Sequence, residues 1–146
     1  LMKAVVSVRK TVKMVKQTPM EVLDSLPVAT DPSKLAIVAF LSRLAEWSYV
    51  AGEKFIYLAL LVGTKTVKMT LSYGLFEWSA ASLSCLGLLS LLVMSNVETA
   101  QYIGECALQM QERLKSEAGK AKTVLVLYAH AFHHVKPLQS FSKPIL

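Results

Sequence analysis

The sequence predicts an all-α membrane protein built around a helical hairpin with one or two transmembrane helices. Hydrophobic residues make up 53% of the 146 positions and charged residues only 18%, and the mean hydropathy is +0.44, a more apolar balance than most soluble domains have. Residues 78–97 contain no charge, and as a helix they would rise about 30 Å, the thickness of a hydrocarbon core. Helical periodicity on both sides of this run predicts a basic amphipathic helix before it and amphipathic helices after it.

These patterns divide the chain into four segments. Residues 1–34 are predicted to form a basic amphipathic arm followed by a short capped helix, and residues 35–95 the membrane hairpin. Residues 96–135 are predicted to form an amphipathic helical extension, and residues 136–146 an extended tail. Of the four, only the second contains runs apolar and long enough to enter a bilayer.

The N-terminal arm has the clearest amphipathic pattern in the chain. On a helix, Ala4, Val5, Val8, Val12 and Val15 fall on one face. The opposite face carries five basic residues: Lys3, Arg9, Lys10, Lys13 and Lys16. An acid-free basic helix is typical of an organelle targeting segment and of an arm on a membrane, and a solvated surface helix is the plainer alternative. We expect the five basic residues to contact anionic lipid or an acidic surface.

Two helix starts follow the arm. Thr18 and Glu21 have the spacing of a capping box, with Pro19 at the first helical position, so a short helix should run to about Leu26. Asp31, followed by proline, repeats the start signal and opens a much longer helix.

This longer helix, predicted over 35–63, carries its charges on one stripe. Arg43, Glu46, Glu53 and Lys54 fall on one side, and the rest of the circumference is apolar. Because a charge at the bilayer centre costs about 2.5–3.5 kcal/mol, we expect the four charges to be paired and turned towards a partner. Glu46 should pair with Arg43 one turn away, or with a basic residue of a neighbouring subunit.

A polar turn is predicted at GTKTVKMT, residues 63–70. Gly63, Lys65 and Lys68 interrupt the apolar pattern there. The turn would join helices 35–63 and 71–95 in an antiparallel hairpin. The first of these helices either spans the bilayer or lies at its surface.

A short motif occurs twice, as LAEWS at 44–48 and as LFEWS at 75–79. Because Trp favours the boundary between lipid and water, Glu77 and Trp78 are predicted interfacial anchors, with Trp47 lying deeper near the charged stripe. One hypothesis is a duplicated helix whose two copies run in opposite directions. The alternative is chance similarity between leucine-rich helices.

The helical extension again has two faces. One is polar and the other is apolar, and both are continuous on a helix. The polar face consists of Glu98, Gln101, Glu105, Gln109 and Glu112, and the apolar face of Ala100, Ile103, Ala107, Met110 and Leu114. Residues 118–120 give a weak stop signal, and the apolar run 123–132 that follows is too short to span a bilayer. We expect this run to dock on a partner or at an interface.

Metal, redox and catalytic motifs are missing from the sequence. His130, His133 and His134 have no nearby Cys or acid, so we expect structural or interfacial histidines. Cys85 and Cys106 lie far apart, and no disulfide is expected. The chain has no phosphate-binding glycine loop, nucleophile elbow or zinc-protease motif. These patterns predict a protein that is not an enzyme, with no metal or cofactor apart from a bound phospholipid.

The overall layout points to a structural role in a membrane. A net charge of +6 without interleaved aromatic and basic residues favours anionic lipid over nucleic acid as a partner. The layout resembles that of small, basic, leucine-rich accessory subunits of respiratory and ATP synthase complexes. The resemblance implies a structural subunit of an energy-converting complex in an organelle membrane, the mitochondrial inner membrane first, where it would stabilise the assembly or shape the membrane. Other subunits and anionic lipid would be its partners.

Two alternatives belong to other functional classes. One is an independent membrane-shaping or lipid-binding protein, in which the amphipathic helices wedge into the interface. The other is a small transporter or proton-conducting unit that uses Glu46 and Glu77.

Overall fold

The computed structural model describes residues 2–128, which form a bundle of seven α-helices. The helices are α1 (Met2–Gln17), α2 (Met20–Ser25), α3 (Pro32–Val50), α4 (Ile56–Tyr73), α5 (Ser79–Met94), α6 (Val97–Leu114) and α7 (Glu117–Val126). A short 3-10 turn, Glu53–Phe55, precedes α4. The prediction of an all-α chain is confirmed for the described residues.

A side chain caps α3 in the way its sequence suggests, but the side-chain cap predicted for α2 does not form. The Asp31 carboxylate accepts hydrogen bonds from the backbone N–H groups of Ser33 and Lys34, and so begins α3 as predicted. The capping box predicted for α2 is wrong. The Thr18 hydroxyl donates instead to the carbonyl oxygen of Met14 at 2.9 Å, and α2 begins without a side-chain cap.

The predicted turn at 63–70 is also wrong, because this segment lies inside α4. The chain turns at Gly52 and Gly74, whose φ angles of +91° and +105° favour glycine strongly. Within α4, the buried hydroxyls of Thr66 and Thr70 each donate to the carbonyl oxygen four residues earlier, so these polar side chains are satisfied without leaving the helix. The hairpin that forms therefore consists of α3 and α4.

The most apolar helix, α5, lies in the middle of the bundle. It contacts α1, α4, α6 and α7, and at Gly87 an added Cβ would lie 3.2 Å from the carbonyl oxygen of Ala100 on α6. The helix ends at Met94, because Ser95 has a φ angle of +50°. With 16 residues it would rise only about 24 Å, so the 20-residue span predicted over 78–97 does not form as one helix.

One helical stretch among the described residues is long and apolar enough to cross a membrane. It comprises the 21 residues Glu53–Tyr73, within which the most apolar window of 18 residues has a mean hydropathy of 1.2. Its position differs from both predicted spans, and α1, α3 and α5 all contact its α4 portion. Core helices of soluble proteins satisfy the same criterion of length and composition.

The N-terminal helix α1 is amphipathic as predicted, and its apolar face packs into the bundle. Ala4, Val8, Val12 and Val15 are all almost completely buried in the main core. Leu86 of α5 belongs to the same core, as does Ile103 of α6. Residues from the first three predicted segments therefore share one core.

The C-terminal helices were predicted in part. The two faces of α6 are as expected, with Ala100, Ile103, Ala107 and Met110 buried. The stop predicted at 118–120 is wrong, since these residues belong to the first turns of α7. The histidines, the end of the run 123–132 and the tail 136–146 lie outside the described residues.

Candidate docking site on α3

Helix α3 presents an unusually apolar surface to the outside. Of its 19 residues only Val38, Ser42 and Ser48 are buried. Phe40 is 65% exposed and Trp47 is 71% exposed. The other exposed large apolar residues of this helix are Leu35, Ile37, Tyr49 and Val50. Contiguous apolar surface of this kind marks interaction sites more often than single exposed residues do.

A groove runs along this surface, between α3 and the connection from α4 to α5. Its volume is about 1170 Å³ including the space open to solvent. We call it the α3 groove, and its lining residues are Ala39, Phe40, Arg43, Leu44, Trp47, Glu77 and Trp78. Because Phe40, Leu44 and Trp47 are spaced by four and three residues, they lie along one side of the helix.

Both copies of the repeated motif reach the α3 groove. Trp47 comes from the first copy, and Glu77 and Trp78 come from the second. The serines of the two copies differ in their contacts. Ser48 donates to the carbonyl oxygen of Leu44, whereas the Ser79 hydroxyl lies 2.6 Å from that of Thr70. The two copies of the motif thus line the same groove, although their serines have different hydrogen-bond partners.

An ionic network closes one edge of the groove. The Glu46 carboxylate lies 3.1 Å from Nη1 of Arg43 and 2.9 Å from Nζ of Lys122 on α7. The Arg43 guanidinium also lies over the ring of Trp78, with Cζ 5.4 Å from the centroid. Partial burial raises the pKa of Glu46, but hydrogen bonds and charge from Lys122 and then Arg43 outweigh it, so its pKa is below the usual value.

The network replaces the four-membered stripe that the sequence predicts. The predicted pair of Arg43 and Glu46 is present. Glu53 and Lys54 do not join it, because α3 ends at Val50 and the backbone at Gly52 turns the following residues away into the 3-10 turn. The second basic partner of Glu46 is Lys122 on α7 of the same chain, whereas the prediction named a neighbouring subunit as its source.

Glu77 takes no part in this network. Its carboxylate accepts a hydrogen bond from the Ser116 hydroxyl at 3.2 Å and is exposed. Glu46 and Glu77, the two acids of the predicted proton path, therefore lie in separate hydrogen-bond networks.

Sequence patterns did not identify Lys122. It lies 76 positions after Glu46, and no local periodicity connects the two residues. The one local indication is that Lys122 comes directly before the apolar run TVLV. A charged residue next to a buried helix needs either an ionic partner or exposure to solvent.

The predicted basic residues of α1 form a second candidate surface. Lys3, Arg9, Lys10, Lys13 and Lys16 are all exposed, as predicted for the face opposite the valines. Among residues 2–128, no carboxylate forms an ion pair with any of them.

Two observations on the described part of the chain concern metal ligands and thiols. No group of three His, Cys, Asp or Glu side chains there could hold a metal ion. Cys85 and Cys106 are both free thiols. Burial raises the pKa of Cys106 to about 11, so this thiol is protonated and unreactive at neutral pH.

Comparison of the chain with protein-family models, with curated proteins and with solved structures gave no match.

Proposed function

We propose that the protein is a non-catalytic structural subunit that joins a larger assembly through the α3 groove. The observation that carries the proposal is the exposure of Phe40 and Trp47 beside that groove. Large apolar residues lost from water on binding contribute about 25 cal/mol for each Å² buried. An assembly partner that covers this surface would therefore stabilise the complex.

The geometry of the groove suits an apolar helix of a partner protein. Phe40, Leu44 and Trp47 form an apolar row along α3, against which a partner helix could pack its own apolar residues at helical spacing. Arg43 and Glu77 add one charge of each sign to the lining. A partner helix with an apolar stripe and one polar residue near each charge would satisfy the groove.

The identity of the assembly comes from the layout of the sequence and is part of the proposal. In this view the partner complex is a respiratory complex or ATP synthase in the mitochondrial inner membrane. The burial of α5 within the bundle favours attachment through partner subunits over insertion of a two-helix anchor.

Gentle native extraction of the full chain tests the proposal. The wild-type protein should co-migrate with a stoichiometric large complex, and Trp47→Asp should release it. The matched control is Leu92→Asp, which places the same charge on an exposed apolar residue of α5 outside the groove, and this variant should stay in the complex.

Two results would contradict the proposal. One is a wild-type protein that migrates as a monomer or as a homo-oligomer after gentle extraction. The other is equal release of the Trp47 and Leu92 variants, which would mean that the groove is not the contact. Circular dichroism of both variants should show unchanged helicity, since both positions are exposed.

A further inference from the structure

We infer that the exposed face of α1 is a rigid docking surface for an anionic phospholipid bilayer, separate from the α3 groove. Its five cations, Lys3, Arg9, Lys10, Lys13 and Lys16, are here called the basic face. The valines that would otherwise allow α1 to insert into lipid are packed in the core of the bundle. The helix is therefore fixed to the protein and meets a membrane from outside.

Helix α4 enlarges this surface. The hydroxyls of Ser7 and Thr64 lie 2.8 Å apart, and the Lys68 ammonium lies 3.4 Å from the Ser7 hydroxyl, so α4 lies alongside α1. Lys65 is exposed and lies three positions before Lys68, on the same side of α4. Together α1 and α4 carry seven basic residues and no acid.

Helix α1 exposes three large apolar residues: Met2 is 81% exposed, Val6 is 44% exposed and Met14 is 40% exposed. On the helical wheel Met2 and Val6 lie on the side that carries Lys10 and Lys13, opposite the buried valines, and Met14 lies at the edge of that side. Cations around a small apolar centre match the interfacial region of a bilayer, where phosphates meet the first methylenes of the acyl chains.

The same features make nucleic acid a poorer partner. Proteins that bind single strands place aromatic rings between their basic residues so that bases can stack. Helix α1 has no aromatic residue, and its exposed apolar residues are aliphatic. Phosphate contacts alone would leave Met2 and Val6 without a role.

Sites on α1 and α3 are on different sides of the fold. Thr64 of α4 contacts α1, whereas Met69 of α4 packs with Val38 of α3. Because Thr64 and Met69 are five residues apart, they point in different directions around α4. The membrane surface and the α3 groove are therefore independent, and variants can separate them.

Vesicle flotation with the full chain tests the inference. At low salt the protein should bind vesicles of phosphatidylcholine and phosphatidylserine much more tightly than vesicles of phosphatidylcholine alone, and added salt should weaken that binding. Each cation near an anionic surface contributes about fivefold to binding. Replacing Lys3, Lys10 and Lys13 together by Gln should therefore weaken it by about 100-fold.

The matched control is the triple replacement of Lys54, Lys115 and Lys120 by Gln. It removes the same charge from exposed positions outside α1 and α4, and it should weaken binding only a few-fold. Val6→Gln should weaken binding several-fold, and Leu92→Gln, a polar replacement of an exposed apolar residue on α5, should leave it unchanged.

Three results would overturn the inference. Equal losses of vesicle binding in the two triple variants would show that only the net charge of the protein matters. Unchanged binding in the α1 triple variant would remove the basic face as the contact. Tight, Lys10-dependent binding to duplex DNA or RNA, with Val6→Gln silent on vesicles, would assign the face to nucleic acid. All of the replaced residues are exposed, and unchanged circular dichroism would confirm that the variants fold.

Discussion

Replacing Gly74 by Ala should be among the most damaging single-methyl changes in this protein. Gly74 has a φ angle of +105° and a ψ angle of −173°, a conformation that only glycine adopts without strain. An added Cβ would overlap the carbonyl oxygen of Pro27. That oxygen accepts a hydrogen bond from the N–H of Leu75 at 2.7 Å, and the Leu75 carbonyl accepts one from Ala29 at 2.8 Å.

The expected magnitude follows from these contacts. The strained backbone should cost about 1–3 kcal/mol. Displacing the Pro27 carbonyl should weaken both of these hydrogen bonds, at about 1 kcal/mol each. We therefore expect Gly74→Ala to lower the free energy of unfolding by about 3–5 kcal/mol.

Two other glycines provide controls for the same methyl group. At Gly52, with a φ angle of +91° and no atom within 4 Å of the added Cβ, only strain should remain, about 1–3 kcal/mol. At Gly63, inside α4 and also with no atom within 4 Å, Ala should stabilise the protein by about 1 kcal/mol through its higher helix propensity.

Urea unfolding followed by far-UV circular dichroism measures all three free energies. The structure requires the order Gly63→Ala most stable, then Gly52→Ala, then Gly74→Ala. If Gly63→Ala were the most destabilised of the three, the chain would turn at 63–70 as the sequence pattern suggests, and the placement of α4 would be wrong.

Four further predictions concern single contacts. Glu46→Gln should lower the free energy of unfolding by about 1–2 kcal/mol. Adding Lys122→Met should lower it little further, because Lys122 has already lost its ionic partner in the single variant. If urea unfolding gave additive effects for the two changes, the contact would contribute nothing. Because the pKa of Glu46 is lowered in the folded state, its contribution should be fully present above its unfolded pKa near 4.5 and disappear as the pH falls through the lower folded value, and a Glu46→Gln chain should lack this part of the acid-induced loss of stability. Alkylation of Cys106 should be much slower in the folded chain than in urea, since the residue is only 1% exposed and burial raises its pKa from 9.0 to about 11, and mass spectrometry would show equal rates if the thiol were accessible. Asn96→Ala should cost about 1 kcal/mol, because its side chain accepts the N–H of Thr99 at 2.7 Å, and an unchanged urea midpoint would show that this cap contributes nothing.

Periodicity in the sequence predicted the amphipathic helices, which have one solvent-exposed and one buried face. Val8, Val12 and Val15 of α1 and the apolar face of α6 are buried where the pattern places them, because a helix with two chemically distinct faces can orient in only one way. Val5, predicted on the same face, is only partly buried. The helix cap at Asp31 could also be predicted, because it depends only on Asp31 and the residues that directly follow it. These features could be derived because each depends on a single segment.

The hairpin was misplaced because polarity was taken as the signal for a turn. Lys65 is exposed on α4, and the threonine hydroxyls of 63–70 bond to the helix itself. The signals that mattered were Gly52 and Gly74, whose positive φ angles are not visible in a hydropathy pattern. A glycine in a sequence shows that such an angle is possible, and the surrounding fold determines whether it is used.

The environment of α5 could not be derived from its own residues. Its sequence is apolar nearly all the way round, which is equally suitable for lipid and for the centre of a bundle. The groove was only partly predictable for a related reason. Trp47 and Trp78 were identified as special residues, but their approach across 31 positions, and the pairing of Glu46 with Lys122, depend on long-range packing.

The central position of α5 has a consequence for synthesis on the ribosome. Translation delivers this helix before α6 and α7, which form much of its surroundings. Until those helices emerge, the nascent chain exposes a stretch that a chaperone or a membrane-targeting factor would bind as readily as a true membrane segment. Between translation of Met94 and of Val126 this apolar helix therefore lacks two of its packing partners, the state in which exposed apolar surface is most open to aggregation or to chaperone binding.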